Sequence, residues 1–329
     1  MRKRLLELDL IRVVAITLVI FQHCWSILDL DVPAQVFSYH GYRGLIYGVP
    51  LFVMLSGFFQ IGKDQAVGPY LKDRFARILP PFFIWMAVVY ILSAFTHKYE
   101  EVSSVGDGLK QFVPFLITNR INEAFWYIFM LSGLYLVTPV LQRAFAAKDR
   151  KPLLEYCLIL WLALTLLWDF LPQFELVRQF PVAGIYLGFY LAGFYVCTYM
   201  DDRKLNLRLG LVLFVAAYAL NVFLMCRGHA YQVLEVIEVL GLFLLLKSAR
   251  LEGERKSSAL ITRISRYSFT IYLTHFILIR ALYTFLPDFF PLHWATPIYT
   301  TFLVLIAEYV FCRVLEAIPF IPNRLVGIS

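Results

Sequence analysis

Repeated long apolar runs are the feature that most restricts how this chain can fold. Each run is close to the ~20 residues that an α-helix needs to cross the hydrocarbon core of a bilayer. Of the 329 residues, 60% are hydrophobic and only 16% are charged, which is too little charge for a water-facing surface. We therefore predict an all-α polytopic membrane bundle that forms a single domain over residues 1–329. The ten predicted spans are Leu8–Leu28, Gly44–Gly62, Arg77–Phe95, Phe125–Phe145, Leu153–Leu171, Val182–Tyr199, Leu209–Cys226, Tyr231–Leu246, Tyr267–Leu286 and Pro297–Ala317.

The loops between these spans differ in their positive charge. Most of the 30 Lys and Arg residues fall at the N-terminus, in alternate loops and toward the C-terminus, and the positive-inside rule assigns these parts to the cytoplasm. Both termini are therefore predicted to be cytoplasmic. The formal net charge of +7 follows from this topology signal and from contact with anionic lipid, so no nucleic-acid partner is predicted.

The first span carries two polar side chains that a membrane helix rarely holds. Arg12 and His23 have ten residues between them, so they project from one helical face, about 16 Å apart along the axis. Ionisable residues inside a membrane are costly and usually line a cavity or a substrate pathway. We predict that the other helices pack around this face.

A second pair of cations stands where the third span begins, in the sequence YLKDRFARILPPFF. Arg74 and Arg77 are three residues apart and are therefore neighbours on one helical face. Two guanidinium groups suit bidentate binding of phosphate, although arginines at a membrane edge can also serve only to set topology. The five cysteines show no metal-ligand spacing, and no metal site is predicted.

Five sequence elements together resemble the acyltransferase family 3 membrane proteins. They are Arg12 and His23 at their spacing, FVMLSGFF in the second span, RFARILP entering the third, FWYIFMLSGLYLVTP in the fourth and SFTIYLTHFIL in the ninth. They occur in the family's order, and the resemblance covers essentially the whole chain. It departs from many members at the start of the fourth span, where Phe125 and Trp126 stand in place of a histidine–tryptophan pair.

The resemblance implies a bacterial inner-membrane O-acyltransferase. Such a protein moves an acyl group, commonly acetyl, from cytoplasmic acyl-CoA to a hydroxyl of an extracytoplasmic glycan. The chain is similar to family members encoded with exopolysaccharide synthesis. Membrane lipid, the donor and the glycan are therefore its expected partners, together with glycan-synthesis machinery or a second copy of the chain.

Acyl transfer to an alcohol needs a base for the hydroxyl proton and donors for the developing oxyanion. His23 is the predicted catalytic residue, either as that base or as a transient carrier of the acyl group. Arg12, Arg74 and Arg77 are predicted to bind the phosphates of acyl-CoA, with acetyl-CoA as the expected donor. Asp9, three residues before Arg12, is expected to orient the guanidinium.

Polar and aromatic residues toward the outer side are candidates for binding the glycan. Trp126 and Tyr127 are predicted to form a stacking platform for a sugar ring. Glu235 and Glu238 share a helical face, from which they would bind sugar hydroxyls. The alternative for these carboxylates is pairing inside the bundle, for example of Glu238 with Arg280.

Two further elements each have two interpretations. His275, in mid-span, is predicted to bind substrate as a second proton-transfer group or to make a helix–helix hydrogen bond. In the long external loop, the amphipathic run LKQFVPFLI from Leu109 lies either on the outer membrane interface or over a cavity as a lid.

Two other functions fit a membrane bundle with interior charges. A polysaccharide exporter or a lipid-linked sugar flippase would need no acyl donor, but the sequence shows no inverted repeat and no paired broken helices. A non-catalytic accessory subunit of a glycan synthase would be insensitive to replacement of His23.

Overall fold

The computed structural model describes residues 5–27, 47–63, 65–95, 104–118, 120–145, 147–170, 185–227, 229, 231–251, 256–286 and 295–328. These residues form helices and turns, with no β-strand among them, so the predicted all-α class is confirmed. Short 3₁₀ turns precede two of the helices, at Glu123–Phe125 and Lys148–Arg150. The α-helices are α1 (Leu6–Ile27), α2 (Gly48–Ile61), α3 (Val67–Phe95), α4 (Val105–Ile117), α5 (Trp126–Phe145), α6 (Lys151–Phe170), α7 (Ile185–Tyr199), α8 (Arg203–Met225), α9 (Gln232–Lys247), α10 (Lys256–Phe285), α11 (Thr296–Ala317) and α12 (Asn323–Val326).

Each predicted span overlaps one of these helices. Within the described residues, seven helices are long and apolar enough to cross a membrane, namely α1, α3, α5, α6, α8, α10 and α11. Helices α2 and α7 are apolar but shorter. The count of ten spans and the cytoplasmic placement of both termini stay predictions.

Two helices begin well before the apolar runs that predicted them. Helix α3 starts at Val67 and has 29 residues, and α10 starts at Lys256 and has 30 residues. At 1.5 Å per residue each is about 45 Å long, which exceeds the ~30 Å of a bilayer core. Hydropathy identifies only the apolar part of a helix. These two helices extend beyond it at their N-terminal ends, through turns that contain charged residues. Arg74 and Arg77 therefore project from an ordered helix.

Helix α1 lies at the centre of the bundle. Half of its most apolar stretch (50%) is buried inside the protein, compared with 17% for the peripheral helices α6 and α8. It packs against α2, α9, α10 and α11. The prediction that other helices surround the first span is therefore confirmed.

The contact between α2 and α7 depends on two glycines. A Cβ atom placed on Gly57 of α2 would lie 1.8 Å from the Tyr190 carbonyl oxygen of α7. A Cβ atom on Gly193 would lie 2.0 Å from the Met54 carbonyl oxygen. Only glycine permits this backbone approach, which is a common way for membrane helices to pack. The crossing holds α2 in place, and α2 supplies one wall of the cavity described below.

We expect Gly57→Val to abolish or severely weaken folding. The added side chain collides with the backbone of α7, which moves only if the helices separate, so the cost should reach or exceed the usual ~1–3 kcal/mol of overpacking. The measurement is thermal unfolding and monodispersity of the purified protein in detergent. The matched control is Gly133→Val in α5, where nothing lies within 4 Å of the new Cβ atom. Equal stability of the two variants would contradict this account of the contact.

The amphipathic run from Leu109, in the loop predicted to be external, lies within helix α4 (Val105–Ile117). Tyr90 of α3 ties it down by donating a hydrogen bond to the Gly108 carbonyl oxygen at 2.7 Å, and Phe115 is buried. An apolar stripe one turn apart along the opposite side stays exposed, formed by Val105, Leu109, Val113 and Ile117. A lid would bury such a stripe against the protein, so the geometry favours the interfacial interpretation.

Candidate active site

Arg12 is held near the start of α1 by two neighbouring helices. Its Nη1 donates to Asp9 Oδ1 at 3.1 Å and to Ser265 Oγ, on α10, at 3.4 Å. Ser265 Oγ donates to the same Asp9 oxygen at 2.6 Å, and the Phe59 ring of α2 lies 4.8 Å from Arg12 Cζ. The Asp9 side chain is 2% exposed and that of Arg12 is 29% exposed. The carboxylate is therefore an internal anchor, as expected, while the guanidinium stays accessible.

Arg12 lines a cavity of about 390 Å³, to which α1, α2, α3 and α5 contribute. Arg74 and Arg77 line the same cavity, so the structure brings together the three arginines predicted to bind the donor. No described lining residue is acidic, which leaves the cavity positively charged. The uncharged lining residues are Phe52, Leu55, Ser56, Phe59, Gln60 and Tyr135.

Asp73 fixes the two arginines of α3. It pairs with Arg74 and accepts a hydrogen bond from Arg77 Nε at 3.1 Å. The Arg74 side chain is only 12% exposed, whereas that of Arg77 is 66% exposed. Arg74 Nε is buried and has no hydrogen-bond partner in the described part of the chain. Such an orphaned donor is rare in folded proteins, and a bound anion would satisfy it.

Lys63 is a fourth cation of this cavity, and the sequence did not single it out. It lies in the turn between α2 and α3, where its Nζ donates to Gln60 Oε1 at 3.3 Å. Burial and the nearby charges of Arg74 and Arg77 lower the pKa of Lys63. A bound phosphate would favour the charged form instead. In the sequence, Lys63 stands in a basic loop where a lysine is expected simply as a topology signal, so nothing in the sequence indicates that it lines a cavity.

His23 lies farther along α1 and is not among the residues that line the cavity. It is half-buried, and its ring centroid lies 5.1 Å from that of His275 and 5.4 Å from that of Phe276, both on α10. Ile16 and Val19, between Arg12 and His23 on the same side of α1, are buried. An acyl arm extending from the cavity to His23 must therefore pass beside these two side chains.

His275 is completely buried. Its Nδ1 lies 2.8 Å from the Tyr272 carbonyl oxygen and 3.1 Å from that of Ile271. Its Nε2 is buried, and no described residue makes a hydrogen bond with it. Both Nδ1 partners belong to α10 itself, so Nδ1 does not make the helix–helix hydrogen bond that was one of the two predictions for this residue.

Trp126 and Tyr127 do not form a common stacking platform. Their ring planes are 84° apart with centroids 6.5 Å apart. Trp126 is exposed, whereas Tyr127 is buried and packs on Tyr272 at 5.1 Å. The reason is helical geometry, because adjacent residues point about 100° apart around the axis. Trp126 alone offers an accessible ring.

Glu238 is engaged in packing between helices. It is fully buried, and its carboxylate accepts hydrogen bonds from the Tyr47 hydroxyl and, at 2.9 Å, from Asn221 Nδ2 of α8. Of the two alternatives for Glu238, the structure thus shows pairing inside the bundle, but with Tyr47 and Asn221 and not with Arg280. The Arg280 guanidinium lies 5.4 Å from the Phe276 ring. Glu235, one turn earlier on α9, is half-buried.

The remaining acidic and sulfur side chains are dispersed. Glu308 of α11 accepts a hydrogen bond from Thr274 Oγ1 at 2.7 Å, and the five cysteines are free. Within the described ranges, no three His, Cys, Asp or Glu side chains form a group that could hold a metal ion. The chemistry of the site thus consists of a cluster of cations and a pair of imidazoles.

Comparison with known proteins assigns the chain to a family. A family model described as an acyltransferase domain, that of acyltransferase family 3, matches residues 5–312. This range includes Arg12, His23, the cationic cavity and His275. Neither a curated protein nor a solved structure matches the chain. Because the match covers nearly the whole chain, the protein belongs to acyltransferase family 3 and is a multi-pass membrane acyltransferase.

Proposed function

We propose that this protein is an O-acyltransferase of the bacterial inner membrane. It moves an acyl group, with acetyl as the expected case, from cytoplasmic acyl-CoA to a hydroxyl of a cell-surface or exopolysaccharide glycan or its lipid-linked precursor. The observation that carries the proposal is that four cations line one cavity. One of them, Arg12, belongs to α1, and the same helix presents His23 about three turns farther along.

The cavity supplies what a donor rich in phosphate needs. The four cations Arg12, Lys63, Arg74 and Arg77 exceed the charge of the two carboxylates paired with them, Asp9 with Arg12 and Asp73 with Arg74 and Arg77. Charge-assisted hydrogen bonds from guanidinium groups to phosphate are among the strongest available to a protein. The volume of about 390 Å³ lies in the range of small-molecule sites, which is ~300–1,000 Å³. It suits the phosphate end of acyl-CoA, with the pantetheine arm directed along α1.

His23 performs the proton transfers in this proposal. The acceptor hydroxyl oxygen attacks the thioester carbonyl carbon while the imidazole takes the hydroxyl proton. The C–S bond then breaks, the ester remains on the glycan, and the CoA sulfur leaves as a thiolate that takes the proton back from the imidazolium. In the alternative route, the imidazole nitrogen attacks first and carries the acyl group as an acyl-imidazole before the hydroxyl displaces it.

On the acceptor side, Trp126 and Glu235 are the residues proposed to bind the glycan. Trp126 offers an exposed ring on which a sugar can stack, and Glu235 is a half-buried carboxylate able to accept from sugar hydroxyls. Tyr127, Glu238 and His275 are buried, so any part they take in acceptor binding requires the outer ends of the helices to open.

The test is the formation of an ester at the expense of acetyl-CoA. Membrane vesicles that contain the protein, given acetyl-CoA labelled in the acetyl group and native glycan as acceptor, should transfer label to the glycan and release CoA thiol in equal amount. Mild alkali should remove the label, as it does from an ester. The surface glycan of cells that lack the protein should lose the same ester.

Vesicles from cells without the protein are the control. Label that never leaves CoA in the presence of the native glycan, together with unchanged ester content in the deletion strain, would overturn the proposal. Glycan translocation without ester formation would indicate an exporter or a flippase.

A further inference from the structure

We infer that His275 is a positioning residue that fixes the protonation and orientation of His23, an inference that rests on the proposed function. His275 has no contact with substrate in this scheme, because it is completely buried. It acts through the half-buried imidazole beside it.

The backbone of α10 decides which nitrogen of His275 carries the proton. Carbonyl oxygens only accept hydrogen bonds, and Nδ1 lies within hydrogen-bonding distance of two of them, those of Ile271 and Tyr272. Nδ1 must therefore carry the N–H. A completely buried imidazole is neutral because burial of its charge is costly, so Nε2 keeps its lone pair. His275 is thus an acceptor at Nε2, fixed in place by its own helix.

This acceptor is buried and has no partner among the residues that the structure describes, so it needs a donor nearby. The Tyr272 ring is close, at 5.9 Å, but its hydroxyl donates to the Ala124 carbonyl oxygen. The His23 ring is closer, at 5.1 Å, and no described residue makes a hydrogen bond with its nitrogens. A centroid separation of 5.1 Å is short enough for an N–H of a suitably rotated His23 ring to come within hydrogen-bonding distance of His275 Nε2.

An N–H of His23 bonded to His275 has a direct chemical consequence. The neutral imidazole has one N–H, so its other nitrogen must hold the lone pair and face away from His275, toward substrate. That nitrogen is the one able to take the hydroxyl proton or to attack the thioester. When His23 becomes an imidazolium, its N–H toward His275 becomes a stronger donor and the hydrogen bond shares the charge. A base oriented by a third group is the usual arrangement around an activated nucleophile.

Two substitutions of His275 distinguish acceptance of a hydrogen bond from His23 from a purely structural role. His275→Asn keeps an amide N–H near the position of Nδ1, so it can still bond the carbonyls of Ile271 and Tyr272, but it lacks an acceptor at the position of Nε2. His275→Gln places an amide oxygen near that position and can accept from His23. We expect kcat to fall by roughly 10–100-fold in the Asn variant, a typical effect of removing such a supporting partner, and to recover most of that loss in the Gln variant. The KM for acetyl-CoA should be unchanged in both.

The result that would overturn the inference is an Asn variant as active as the wild type, or a Gln variant no better than the Asn variant. A side chain that only filled space or bonded the backbone would give one of these outcomes. Binding of CoA to each purified variant shows that it is folded, and His229→Asn, at an exposed histidine, is the matched control.

A second measurement does not depend on acyl transfer. The ¹⁵N chemical shifts of a neutral imidazole distinguish its two tautomers, and the His23 signals can be assigned from a His23→Gln sample. We expect a single tautomer in the wild type and a mixture in His275→Asn. Rapidly exchanging tautomers in the wild-type protein would overturn the inference about His275. Absence of acetyl transfer by a wild-type protein that shows a single tautomer would count only against the proposed function.

Discussion

His23→Ala is expected to lower the rate of acyl transfer by roughly 10²–10⁴-fold, the usual contribution of a general acid–base residue, while CoA binds as tightly as before. The rate and the CoA affinity should change independently, because His23 is not among the residues that line the cationic cavity. Rate and affinity are measured on the same purified protein, as release of CoA thiol in the presence of glycan and as equilibrium binding of CoA.

The matched control for this variant is His229→Ala. His229 is exposed and stacks on Tyr231 at 6.3 Å, far along the chain from either histidine of the site, and its replacement should leave the rate unchanged. An alanine variant of His23 that esterifies the glycan at the full wild-type rate would remove His23 from the mechanism. Labelled acetyl-CoA without acceptor also separates the two routes, since only the acyl-imidazole route leaves label on the protein.

Arg12→Ala is expected to weaken CoA binding by about 10–100-fold, because a hydrogen bond to a charged group contributes about 1.5–3 kcal/mol. The kcat at saturating acetyl-CoA should change much less, which is the reverse of the pattern for His23→Ala. Affinity is measured by equilibrium binding of CoA to the purified variant, and kcat and KM by thiol release.

Two controls keep this prediction specific. Arg143→Ala removes an exposed cation at the end of α5 that does not line the cavity, and CoA affinity should not change. Removal of Arg12 also leaves Asp9 buried without this cation, so a double variant, Asp9→Asn with Arg12→Ala, separates lost stability from lost affinity. Unchanged donor affinity in the folded double variant would contradict the assignment of Arg12.

Much of the fold could be predicted because the information is local. An apolar run of membrane length specifies a helix wherever it falls, and each of the ten predicted runs overlaps a helix. The shared face of Arg74 and Arg77 also follows from helical spacing alone. Helix ends were predicted less well, as α10 shows by beginning at Lys256, because charged turns at a membrane edge carry no hydropathy signal.

The site could be predicted only in part, because its contacts join distant parts of the chain. Nothing near Arg12 in the sequence indicates that Ser265 would support it, and nothing near His23 indicates His275. Lys63 has the charge and the position of an ordinary topology signal. The Trp126–Tyr127 platform does not form because the side chains of adjacent helical residues point about 100° apart, which places Tyr127 in the bundle while Trp126 stays exposed.

Helix α10 supports both polar groups of α1, with Ser265 beside Arg12 and His275 beside His23. Ser265 and His275 are ten positions apart on α10, about 15 Å along the helix axis, so a single helix pair sets the spacing of both contacts. A shift of α10 by one turn relative to α1 would break both contacts at once. We therefore expect an insertion of one turn between Ser265 and His275 to change the surroundings of Arg12 and of His23 together.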